Sequence, residues 1–159
     1  MTKIKATDKE MLGHHLAYEF EMLQGTYSML ANDLDDKIIT NALIESFCIH
    51  ARQLIEFFNN KQGRKAEEFT GGTYAAKHVG SLGDVVKKLN TQIAHLTGER
   101  TANSNDKIGS IDRCELLMAL EQEAQNFTFH LAPAFKGIFT PPTPITLIVV
   151  SGQPSATNT

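Results

Sequence analysis

The chain has 159 residues, 42% apolar and 21% charged, a length and composition that suit one globular domain with a sizeable buried core and require no second domain. Fifteen Lys and Arg against eighteen Asp and Glu leave a formal charge of −3, which excludes a bulk basic surface that would draw the molecule onto nucleic acid or an anionic membrane, so any nucleic-acid site has to be a local patch. Cys48 and Cys114 lie far apart without Cys-x-x-Cys spacing, and neither a secretory leader nor an apolar run of about 18 residues is visible; the expectation is a cytoplasmic protein with free thiols and no membrane segment.

Thr7 to Glu10 forms a capping-box pattern ahead of Met11, Leu12, His15, Leu16, Met22, Leu23 and Leu30, predicting a first helix over about residues 8–32. The Asn32 to Asp36 cluster signals a turn. Asp35 or Asp36 can cap a second helix, whose Ile39, Leu43, Phe47, His50, Leu54, Phe57 and Phe58 repeat by three and four until Asn59, Asn60 and Gly63 stop it. Residues 61–80, with the cations Arg64, Lys65 and Lys77 beside His78, show no clean period and read as a long mobile loop holding at most one short helical turn. Ser81 to Asp84 makes a second capping-box pattern, and Leu82, Val85, Val86, Leu89, Ile93 and Leu96 form one apolar stripe ending at Gly98. A fourth helix from about residue 110 carries Ile111, Leu116, Leu117, Leu120, Phe127 and Leu131, with Pro133 as its terminator.

These elements predict an all-α fold, an up-and-down bundle of four or five helices over residues 8–135, followed by an extended tail over 136–159. In that tail Pro141, Pro142 and Pro144 precede the apolar and β-branched run Ile145 to Val150, which favours extended backbone. A lone strand leaves its backbone groups unpaired, so the tail is expected to pair with a second copy of the chain or to lie along a pair of helices.

His95 falls roughly 120° from the centre of its helix's apolar stripe at about 100° per residue, on a flank shared with Lys88, Gln92 and Glu99. That polar seam holds a titratable imidazole and suits an active site, a subunit contact or a solvated face. His50 keeps stripe spacing with Leu43, Phe47, Leu54 and Phe57, so it reads as a buried imidazole bonded to a neighbouring helix. Arg52 points to the opposite, polar side with Glu45 and Glu56, where an exposed pair contributes only about 0 to 1 kcal/mol. His15, His50, His95 and His130 place one histidine on each predicted helix, the raw material of a metal-binding bundle. Without a His-x-x-x-His or Glu-x-x-His pair on any helix, no metal and no cofactor are expected.

Taken together, Ala42-Leu43-Ile44-Glu45-Ser46-Phe47, then His50 to Phe58, then Leu89-Asn90-Thr91-Gln92-Ile93-Ala94-His95-Leu96-Thr97 with Arg100 and Thr101, resemble the AbiU2-like branch of the HEPN-type helical proteins. The similarity spans roughly residues 8–132. It implies a helical bundle, frequent homodimerisation, and a role in phage defence or toxin–antitoxin systems. Active members of the family are metal-independent ribonucleases with an arginine and a histidine separated by four to six residues.

His95 matches the family histidine, which would move the proton of a ribose hydroxyl or of the leaving oxygen, while an arginine would stabilise charge at the phosphorus centre. At the corresponding distances before His95 stand Asn90, Leu89 and Lys88, so Lys88 alone offers a cation there, and a lysine lacks the guanidinium fork. The resemblance therefore implies a catalytic group of His95, assisted by Lys88, Asn90 or Arg100, with Arg52, Gln92, Glu99, Arg64 and Lys65 as residues that would hold an RNA substrate or a partner protein. The other reading is a catalytically inactive, dimeric interaction module of the same fold.

Overall fold

The structure, a computed structural model, describes residues 7–32, 34–92 and 107–145, with residues 91 and 92 described by their backbone alone. The described residues are all-helical, with five helices and no strand. The first helical run, α1, joins an α-turn Asp8–Glu10, a π-helical stretch Met11–Leu16 and an α-helical body Ala17–Leu30. The others are α2 Lys37–Phe58, the short α3 Glu67–Thr70, α4 Gly83–Gln92 and α5 Ser110–His130.

Local sequence sets most of the ends. Thr7 and Glu10 cap each other reciprocally, Thr7 Oγ1 accepting from the Glu10 N–H and the Glu10 carboxylate accepting from the Thr7 N–H. Asp36 caps α2 by accepting from the N–H groups of Ile38 and Ile39 at 2.8 and 3.2 Å. At the far end Asn60 takes a left-handed φ of 55°, a conformation asparagine tolerates and β-branched residues avoid. One capping expectation fails. Ser81 closes a 3-10 turn, Val79–Ser81, and its hydroxyl donates to the His78 carbonyl, so α4 begins at Gly83 without a Ser81–Asp84 box.

Ring contacts give the helix directions. Phe20 meets Phe58 and Tyr27 meets Phe47, so α1 and α2 are antiparallel; polar contacts of Val79, just before α4, with Glu123 and of Lys88 with Asp112 show the chain from 79 through α4 running opposite to α5. The core is an aromatic cluster in which Phe127 of α5 lies 5.4 and 5.7 Å from the rings of Phe57 and Phe58, and Phe69 of α3 lies 6.1 Å from Phe57. Consecutive Phe57 and Phe58 are both buried because the end of α2 is covered on two sides, by α3 and by α1.

Two expectations about packing are corrected. Ile111 and Ile39 keep apolar spacing but lie 74% and 48% exposed, since each sits in the first turn or so of its helix, where the neighbouring helices do not reach. Residues 61–80 are no mobile loop: Ala66, Phe69, Tyr74 and Val79 are core residues, and the segment is clasped by α5.

After α5 the chain turns through a 3-10 segment, Pro133–Phe135, and Gly137 at φ 81° and then runs back between α1 and α5. Phe139 packs 6.0 Å from Phe20 and 6.0 Å from Phe127, Gln24 Nε2 donates to the Thr143 carbonyl, and the Ile145 N–H donates to Glu121. Residues 139–145 thus lie along α1 and α5, and of the expected extended run Ile145 to Val150 all but Ile145 lies outside the described residues.

Candidate functional site

The outward face of α2 carries Glu45, Ile49, Arg52, Gln53 and Glu56, spaced by three and four so that they form one wall. Leu89 of α4 and Gln62 complete a cavity of about 530 Å³, whose floor includes Cys48. A second cavity of about 190 Å³ shares Arg52, Glu56 and Leu89 and adds Lys61, Val86 and Asn90. A third, about 120 Å³, shares Gln53, Glu56 and Gln62 and reaches His15 and Glu19 at the π-helical stretch of α1. Glu56 lines all three cavities.

Among the described residues the candidate cations are paired, whereas Lys61 of the second cavity has no ion pair. Arg52 Nε donates to Glu56 at 2.9 Å within one helical turn. Lys88 Nζ bridges both oxygens of Asp112 at 2.9 and 3.0 Å, tying α4 to the start of α5. Arg64 is held by Asp8 and by Glu68 at 2.7 Å, with its guanidinium 4.9 Å from the Phe69 ring; the hydrogen bond to Asp8, opposed by partial burial and reinforced by Glu68, raises its pKa further. Lys65 stands 3.9 Å from Glu67.

Of the residues singled out by sequence, Arg52 lines both larger cavities and Asn90 the second, while Lys88 is engaged with Asp112. Arg64 borders only the third cavity, near His15, and Lys65 lies on α3's approach, lining none of the three. His95, Glu99 and Arg100, with the side chain of Gln92, lie outside the described residues. Arg52 does face the polar side with Glu45 and Glu56, as its helical position requires.

His50 is a mostly buried scaffold residue: its Nδ1–H donates to Glu19 of α1 at 2.6 Å, and its ring meets Tyr18 edge-on at 5.7 Å. His130 Nδ1–H donates to the Asn126 carbonyl, and His15 lies on the surface. Among the described residues no three His, Cys, Asp or Glu side chains converge in metal-ligand geometry. Burial pushes the Cys48 thiol up to about 12, so it stays protonated at neutral pH and offers no nucleophile to the cavity above it.

Two carboxylates escaped the periodic reading of α5. Glu123, 0% exposed, accepts from the Tyr74 hydroxyl at 2.9 Å, from Asn126 at 2.7 Å, and from the backbone N–H groups of Lys77, His78 and Val79. Burial alone would raise its pKa, but these donors outweigh burial and hold the carboxyl below the ordinary carboxylate range. Burial and then the Glu123 charge drive the Tyr74 phenol the other way, upward. Glu121, 3% exposed, accepts from Gln24 at 2.6 Å and from the Ile145 N–H. The signal for Glu123 was its position, at stripe spacing between Leu120 and Phe127.

Comparison with protein-family models, with curated proteins and with solved structures gave no match. No helix among the described residues is long and apolar enough to cross a membrane.

Proposed function

We propose that this chain is a HEPN-like helical protein of the toxin or phage-defence type that works as an interaction module, holding a partner protein in the groove between α2 and α4 and not cutting RNA there. The observation that carries the reading is the pairing of the candidate cations among the described residues: Arg52 with Glu56, Lys88 with Asp112, Arg64 with Asp8 and Glu68, and Lys65 with Glu67. RNA binding gains affinity when free Lys and Arg side chains neutralise phosphates and release the counterions condensed on the RNA, and here a phosphate would have to displace carboxylates held by the same chain. The homodimer implied by the family resemblance belongs to this proposal.

One observation favours the nuclease reading: Arg52 shares cavity walls with Leu89 and Asn90, two of the positions to which the resemblance would assign the arginine. The readings separate on incubation of the purified protein with single-stranded and transfer RNAs. The interaction module leaves them intact, and His95→Ala changes nothing on expression in cells. Cleavage that disappears in His95→Ala and in Arg52→Ala would establish the nuclease instead.

A further inference from the structure

The cavity of about 530 Å³ has a mixed wall that phosphate does not explain. Ile49, 52% exposed, and the largely buried Leu89 supply an apolar strip along it. Arg52 neutralises Glu56, whereas Glu45 at the rim has no ion-pair partner among the described residues, so these three side chains together leave one negative charge facing the cavity. Gln53 and Gln62 also line it, both exposed, and neither side-chain amide has a hydrogen-bond partner among the described residues. Each primary amide carries a donor and an acceptor, the complement of a peptide backbone's C=O and N–H.

From this wall we infer that the groove takes an extended peptide segment of a partner protein, with a lysine or arginine side chain laid across Ile49 and Leu89 so that its cationic end meets Glu45. Long basic side chains bury an aliphatic stem on apolar surface while the charged head stays wet, which matches a strip of Ile49 and Leu89 ending at an exposed carboxylate. Gln53 and Gln62 then hold the backbone on either side of that residue, and the two smaller cavities that share Glu56 lie toward His15 and toward Asn90. The inference rests on the interaction-module reading and adds the chemistry of the partner.

The test is a nuclear magnetic resonance titration of the full chain with the blocked hexapeptide Gly-Gly-Lys-Leu-Gly-Gly, its Glu-for-Lys counterpart, and hexauridylate. The lysine peptide is expected to shift the backbone amides of Ile49, Arg52, Gln53 and Gln62, and the other two probes are not. Glu45 is exposed, so Glu45→Gln keeps the fold and is expected to weaken the lysine peptide about fivefold, the effect of losing one part-exposed charge pair. No shift with the lysine peptide, equal shifts with the glutamate peptide, or binding indifferent to Glu45→Gln overturns the inference. If the lysine peptide fails while RNA also remains uncut, the partner chemistry is wrong and the module reading stands; shifts at the same amides with hexauridylate, together with cleavage, remove both.

Discussion

Glu123 is a fully buried carboxylate with five hydrogen-bond donors around it, and three of those donors are consecutive backbone N–H groups at Lys77, His78 and Val79. It gathers the ends of a segment that has no regular structure of its own and so closes the bundle beneath α4. Its folded pKa lies below the ordinary glutamate value of 4.5, so in acid the unfolded chain binds the proton more readily than the folded one. Its stabilisation is accordingly complete above about pH 4.5 and is lost as the pH falls through the folded value. Urea denaturation of wild type across that window is expected to show falling stability, and Glu123→Gln, which keeps the shape without the charge, is expected to be about 1–3 kcal/mol less stable at pH 7 with a flatter acid limb. An unchanged acid limb in the variant would place that pH dependence elsewhere. Nothing in the local sequence marks Glu123 as a clasp, because all its partners but Asn126 are more than forty positions away in sequence and their pairing is a product of folding. Arg52 was more legible, since its side of α2 follows from helical geometry alone.

At the scale of elements, α5 depends on Asp112 in two ways. Its carboxylate accepts from the Gly109 N–H at 2.8 Å, meeting one of the orphan donors of a helix start, and it also receives Lys88 from α4. The two roles differ in weight. Asp112→Ala removes both and is expected to cost about 1–2 kcal/mol, whereas Lys88→Gln loses only a part-exposed ion pair and is expected to cost less than about 1 kcal/mol. Thermal unfolding of both variants checks the order, and a Lys88→Gln loss equal to or larger than that of Asp112→Ala would show the bridge to be the main contribution. Caps such as Thr7 with Glu10, and Asp36, were readable because the partners lie within three residues of each other. The order of residues 61–80 was not, since Phe69 and Tyr74 are fixed by rings from α2 and α5 and show no period along the chain.

For the whole molecule, antiparallel α1 and α2 and antiparallel α4 and α5 surround one aromatic core, and the strap of residues 139–145 fills the channel between α1 and α5 with Phe139 and Ile145. Apolar spacing and helix punctuation sufficed to predict that architecture, while the groove across α2 required the meeting of α2 with α4, which no single stretch of sequence encodes. Net charge of −3 and cations held by the chain's own carboxylates point the same way, toward a surface that phosphate does not favour. The central claim is most directly tested by fluorescence anisotropy of a labelled single-stranded RNA titrated with the full chain at about 50 and 200 mM salt, the range over which phosphate contacts declare themselves by a steep loss of affinity. Wild type is expected to show no saturable binding at the higher salt, and Arg52→Ala no change. Saturable binding with a steep salt slope that Arg52→Ala removes would contradict the central claim.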